Sequence, residues 1–322
     1  MESRRFVRRL VVGAVALAVT AGAVPSAVAA GNDHGGSTGV MRVVGAGGGT
    51  LGPEWGPAFA GDPVRFEIDG RATDPLHPSG TFHVVHRKPD GKLLAEFSGP
   101  ITSLKAVDEV AVVTGVIDSA DHPGLPREMI GKNISLTVYD GGRQDRISWI
   151  WGFFDAPVSL LQGTAPTFPL TEGGFQVHGT GHAAKASGTT VAVKAAGDGT
   201  TVAALLGDAT LRFQFAARVP AGGNPTEVQG DFHFVDRRGS GVDVEGRIDC
   251  LVAGGPVAVA TGVVTASNDP AKVGKPVSFS LKDGRIDRLG WIWGFAADAP
   301  QIVDCQSVVP SYAPRWGGLA VR

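Results

Sequence analysis

Over short stretches of this chain apolar residues fall at every second position, as in Val64-Arg65-Phe66-Glu67-Ile68 and Leu211-Arg212-Phe213-Gln214-Phe215, and no long stretch holds a helical period. With 47 Gly and 21 Pro interrupting the chain, short strands separated by turns are expected throughout. The pattern predicts strands at 41–45, 64–68, 81–87, 93–97, 101–107, 109–117, 134–139 and 147–153, then at 211–215, 231–235, 242–248, 257–264, 277–281 and 289–295. Pro89-Asp90-Gly91 and Asp140-Gly141-Gly142 read as hairpin turns, because Gly and Asp tolerate the positive φ of tight turns.

The second set of strands repeats the first. Trp149-Ile150-Trp151-Gly152-Phe153 returns as Trp291-Ile292-Trp293-Gly294-Phe295. Working outward pairs Asp145-Arg146 with Asp287-Arg288, Thr114-Gly115-Val116 with Thr261-Gly262-Val263, and Phe82-His83 with Phe232-His233. The chain is therefore a tandem duplication, and the expected fold is all-β: two homologous antiparallel β-barrel or β-sandwich domains in tandem. Met41-Arg42-Val43-Val44-Gly45 matches Phe175-Gln176-Val177-His178-Gly179, so the expected division is repeat 1 at 41–162, a proline-containing linker at 163–174, repeat 2 at 175–307 and a loosely held tail at 308–322.

Ahead of repeat 1, residues 1–30 carry Arg4, Arg5, Arg8 and Arg9, an apolar run from Leu10 to Val19 and Ala27-Val28-Ala29, the layout of a signal peptide, followed by a Gly-rich tether at 31–40. The expectation is an exported protein, secreted or at the cell surface, with no membrane span after leader removal; the export route, general or twin-arginine, stays open. Loss of four arginines with the leader makes the net charge of −2 more negative, which argues against a nucleic-acid partner. The 2 cysteines, Cys250 and Cys305, are expected to pair in an oxidising compartment.

Alternation places Ile147, Trp149, Trp151 and Phe153 on one face of the repeated strand, and Leu289, Trp291, Trp293 and Phe295 on the same face of its copy. Burying two Trp and one Phe removes about 600 Å² from water, which makes a core the favoured reading. The competing reading is an aromatic platform on which a sugar or apolar ligand stacks. Trp149, Trp151, Trp291 and Trp293 are therefore the candidate ligand-binding residues.

Other constellations are weaker. Gly35 to Gly39 spells G-x-S-x-G without the strand and helix that a nucleophile elbow needs. Gly47 to Gly52 spells G-x-G-x-x-G, but Pro53 and Pro57 come at once after it. His83 and His233 are repeat-equivalent, and His178 and His182 lie four apart; exposed or hydrogen-bonded histidines are favoured over a zinc or copper site. Asp140 with Asp145, and Asp283 with Asp287, flank glycine turns in the manner of a calcium loop, yet Arg143, Arg146, Arg285 and Arg288 lie among them and favour a hairpin. No metal, cofactor or catalytic residue is assigned.

The export leader, Gly80-Thr81-Phe82 with Gly230-Asp231-Phe232, and the Asp-containing glycine turn before the last strand resemble secreted bacterial β-proteins labelled "repetin". The resemblance implies an extracellular all-β domain without an established activity. The sequence thus leads to an exported non-catalytic binding or structural protein, its partner a cell-surface, saccharide or apolar small-molecule ligand. The alternative is a small-barrel extracellular enzyme, an isomerase or hydrolase, with its site in one repeat.

Overall fold

The computed structural model describes residues 39–181, 187–188, 199–239 and 241–322. The signal peptide, almost all of the tether, the Gly35 to Thr38 part of the G-x-S-x-G match and His182 lie outside the described residues. No helix among the described residues is long and apolar enough to cross a membrane. The chain is all-β, in two separate sheets that are antiparallel apart from a two-residue parallel pairing at Ser187–Gly188.

The first sheet contains β1 (Met41–Thr50), β2 (Pro63–Ala72), β3 (Ser79–Arg87), β4 (Leu93–Val107), β5 (Val110–Val116), β6 (Ser119–Asp121), β7 (Asn133–Tyr139), β8 (Arg146–Trp151), β9 (Phe168–Pro169) and β10 (Glu172–His178). The second contains β11 (Ser187–Gly188), β12 (Gly199–Gly207), β13 (Leu211–Pro220), β14 (Gln229–Asp236), β15 (Val242–Gly254), β16 (Val257–Ser267), β17 (Pro276–Lys282), β18 (Arg288–Trp293) and β19 (Trp316–Val321). In β2 and β13 buried and exposed residues alternate at every position, so one apolar face of each sheet turns inward on its own core. The stretches read as separate strands at 93–97 and 101–107 are one strand, β4, with a register shift between Ile101 and Ser103. Gly99-Pro100 bends it where its pairing passes from β3 to β5, as at a barrel corner.

Both sheets curl until their edges meet on one segment. Phe168 and Pro169 pair with β8, and from Glu172, three residues on, the same chain pairs along β1, with Gly174 opposite Ala46 and His178 opposite Arg42. In the second sheet Tyr312 pairs with Leu289 of β18, and β19 then pairs along β12. Each sheet is thus curled and barrel-like, and is called a barrel below.

This closure also redraws the internal boundaries. Phe175–His178 does not open repeat 2 but closes the first barrel, and the expected linker supplies β9 and the start of β10. The expected tail is the equivalent closing segment of the second barrel. Gly173-Gly174 matches Gly317-Gly318, with positive φ at Gly173 (65°) and Gly317 (102°), a conformation that an L side chain rarely adopts. The carboxylates around the glycine turns hold these segments down. Asp145 Oδ2 accepts from Phe175 N at 2.7 Å and Asp140 Oδ2 from Val177 N at 3.1 Å. Asp287 Oδ2 and Asp283 Oδ2 do the same for Leu319 N and Val321 N, at 2.9 and 3.3 Å. The acidic pairs are latches of the barrel rather than cation ligands.

The barrels meet through equivalent surfaces. Gly163 and Ser307 exchange both backbone hydrogen bonds at 2.9 Å. Gln162 Nε2 donates to Gln301 O at 3.0 Å, and its equivalent, Gln306 Nε2, to Pro157 O at 2.9 Å. Val107, Val110, Val112, Val257 and Val309 fill the space between. At these backbone and glutamine contacts each repeat gives the other what it receives, the relation found across a two-fold dimer interface.

Candidate functional site

The two barrels share a lattice of interior positions and fill it differently. In the second, Phe234 stands opposite Phe213 and Phe279 opposite Trp291. The same register positions in the first are Val84, opposite Phe66, and Leu136, opposite Trp149. Leu211 and Phe215 likewise stand where the first barrel has Val64 and Ile68; in the other direction Phe97, Ile134, Val113 and Phe175 exceed their counterparts Val244, Val277, Ala260 and Leu319. The larger set closes the second barrel: Phe234 meets Trp293 edge-on at 4.8 Å, and Trp291 and Trp293 are buried, at 2% and 9% exposure.

Of the smaller set, Val64 and Val84 line a cavity of about 300 Å³ in the first barrel, walled also by Ala95 and Phe97 and by Trp149 and Trp151, which are half-buried. In a small barrel the interior either fills with side chains or leaves room for one small molecule; here the second is filled and the first keeps a cavity. Over the cavity's mouth lies the β1–β2 connection, residues 51–62, which carries Leu51, Trp55 and Phe59 into the lining. Its ends are tied by Leu51 N to Asp62 O at 2.9 Å and Gly61 N to Leu51 O at 2.8 Å. The equivalent connection in the second barrel is the short turn 208–210.

The predicted strand to Phe153 stops at Trp151, and Gly152–Phe154 forms a single 3-10 turn. One wall of the cavity is a ladder of near-parallel rings. Trp55 stacks on Trp149 at 4.7 Å and 16°, Trp149 on Trp151 at 5.9 Å and 23°, and Trp151 on Phe153 at 5.7 Å and 14°. Phe97 stands edge-on to Trp151 at 5.1 Å and buttresses it. The four tryptophans expected to act alike therefore divide into a core pair, Trp291 and Trp293, and a cavity-lining pair, Trp149 and Trp151.

A polar cluster fastens the loop at the rim. Asp62, 2% exposed, accepts from Lys88 Nζ at 3.0 Å and lies 2.9 Å from His86 Nε2, while Lys88 Nζ also donates to Ala58 O at 2.9 Å. Burial lowers the His86 pKa below its ordinary 6.5, a pull that the bond to Asp62 only partly offsets. The unfolded chain therefore takes up the proton first as pH falls, so the stability held by neutral His86 is complete above 6.5 and declines below it. A His86→Gln variant should show a flatter stability profile between pH 7 and 5 than the parent, measured by urea denaturation; parallel profiles would contradict the assignment.

The repeat-equivalent histidines lie on the outside of the barrels, with His83 Nε2 2.9 Å from Glu96 and His233 Nε2 2.9 Å from Asp243. No group of His, Cys, Asp or Glu that could hold a metal occurs among the described residues. The glycines of the G-x-G-x-x-G match lie in β1, where a Cβ on Gly47 or Gly49 would strike Leu170 or Thr171 of the closing segment; the chain then enters the three-residue turn Pro53–Trp55, not a helix. Cys250 and Cys305 form a disulfide.

Sequence reasoning missed Val84, His86, Asp62 and the 51–62 loop. Their signal was present in the repeat comparison itself, as Phe234 and Phe279 against Val84 and Leu136, together with a longer connection carrying two aromatics. The chain matches no family model, and no curated protein or solved structure is significantly similar to it.

Proposed function

We propose that this is an exported, non-catalytic binding protein in which the first barrel receives a small, largely apolar ligand and the second, filled barrel serves as its structural partner. The observation that carries the reading is the contrast between two copies of one barrel, one with Phe234 and Phe279 packed and buried in its core and the other open beneath Trp55 and Phe59. The leader-like N-terminus and the Cys250–Cys305 bridge support a destination in an oxidising compartment. The lining favours an apolar ligand over a saccharide, because most sugar hydroxyls would lose water there and find no partner. An isomerase or hydrolase would need several polar groups converging on the cavity, and His86 is the one ionisable side chain among its lining residues.

The test is titration of the protein with the neutral fluorophore N-phenyl-1-naphthylamine. Saturable binding with quenching of the tryptophans is expected in the parent. A Val64→Leu/Val84→Phe variant, which gives two lining positions of the first barrel the side chains of the second, should stay folded and bind at least about a hundredfold more weakly. Equal binding by parent and variant would place the site elsewhere.

A further inference from the structure

Resting on that reading of the cavity, we infer that the ligand is a neutral molecule whose apolar body carries a hydroxyl or N–H group, and that this group donates a hydrogen bond to Nδ1 of His86. His86 is the one side chain lining the cavity that can accept a hydrogen bond; the others are aliphatic, Phe or Trp. Its tautomer is fixed from behind. The Asp62 carboxylate, already accepting from Lys88, has no proton to give, so the 2.9 Å contact requires His86 Nε2 to carry one. In the neutral ring Nδ1 is then a bare lone pair, and no residue among those described donates to it. The low pKa of the buried ring keeps this form dominant at neutral pH.

The charges around the mouth point the same way. Lys88 is matched by Asp62 at 3.0 Å and Arg127 by Asp155 at 3.9 Å, each cation also lying over an aromatic ring of the lining, Phe59 or Phe154. No charged side chain lines the cavity. An ionic ligand would be stripped of water without gaining a counter-ion. A neutral donor instead satisfies the one polar atom that an entirely apolar ligand would leave buried and unpaired.

Three probes of one shape separate the possibilities: 2-naphthol, its methyl ether 2-methoxynaphthalene, and 2-naphthoate, each competing against N-phenyl-1-naphthylamine on the full chain at pH 7.5. The naphthol is expected to bind about tenfold more tightly than the ether, and the naphthoate more weakly than both. His86→Phe should bind naphthol and ether alike. Should that variant misfold, Asp62→Asn serves instead: it keeps the shape while freeing the ring to place its proton on Nδ1, and it too should erase the preference. An ether that binds as tightly as the naphthol to the parent overturns the donor inference and leaves the apolar cavity standing. A preference that persists in the folded variant also overturns it. Failure of all three probes, with the fluorophore itself unbound, removes the cavity reading and the inference together.

Discussion

A Cys250→Ala/Cys305→Ala variant is expected to lose about 4 kcal/mol of stability, on the chain-entropy account of a cross-link that closes 55 residues. The bridge ties β15, beside its register shift, to the segment that crosses to the other barrel before closing its own. The first barrel marks the same place with weaker means. Ser103 stands opposite Thr114 as Cys250 stands opposite Thr261, and Leu161 takes the position of Cys305, with the same left-handed backbone (φ 62° and 55°). There the tie is a hydrogen bond from Leu161 N to Ser103 Oγ at 3.1 Å, worth about 1 kcal/mol. The loss should therefore appear in the second barrel, as an earlier guanidinium transition reported by Trp291 and Trp293 in a background lacking the other tryptophans. An unchanged midpoint would mean that the crossing segment is held by its packing alone. The converse variant, Ser103→Cys/Leu161→Cys, should form the matching bridge, visible as a mass loss of about two protons and a later transition of the first barrel.

The same repeat logic explains what was legible in the sequence. Alternation and the recurrence of Trp-Ile-Trp-Gly-Phe gave strands, duplication and cysteine pairing, because each depends on local spacing or on residues too rare to recur by accident. The internal boundaries were lost because Met41-Arg42-Val43-Val44-Gly45 and Phe175-Gln176-Val177-His178-Gly179 look alike for a physical reason: they are neighbouring strands of one barrel, paired residue for residue, with Val43 opposite Val177 and Gly45 opposite Phe175. Two strands that line one wall share a pattern without being copies. Better guides were Gln162 with Gln306 and Gly173-Gly174 with Gly317-Gly318, polar and glycine positions where the interface and the closing turn leave little choice. The tryptophans divided into core and cavity pairs because their exposure depends on residues across the barrel. Val84 and Leu136 are unremarkable apolar positions until set beside Phe234 and Phe279.

Replacing Asp108 by Asn is expected to destabilise the protein by about 3 kcal/mol, the usual result of removing one partner from a buried ion pair. Asp108 sits at the tip of the β4–β5 hairpin in the left-handed conformation (φ 50°) that a short polar side chain tolerates. The tip reaches into the second barrel, where Asp108 receives Arg288 Nε at 2.9 Å and Arg288 Nη2 at 3.0 Å, with Lys282 Nζ at 3.2 Å. Arg288 is 1% exposed and Lys282 3%, so both cations rely on carboxylates brought by the other barrel, Asp108 and, for Lys282, Glu109 at 2.8 Å. Burial alone would raise the Asp108 pKa, but Arg288 and Lys282 outweigh it and hold the carboxyl below its ordinary 3.8. Its contribution is therefore complete above that value and is lost as pH falls through the lower, folded-state value, so the gap between parent and Asp108→Asn should narrow at acid pH. The equivalent tip of the second barrel, Gly255-Pro256, carries no charge, and Arg146, the counterpart of Arg288, is met by the carbonyls of Pro166 and Thr167 at 3.0 and 2.7 Å. The pseudo-two-fold interface is thus ionic on one side only. Because Asp108 joins the barrels, its loss should also separate their unfolding, resolving in calorimetry two transitions where the parent shows one. A loss below about 1 kcal/mol at neutral pH would place this cluster with ordinary exposed pairs and return the coupling of the barrels to the valines and the two glutamines.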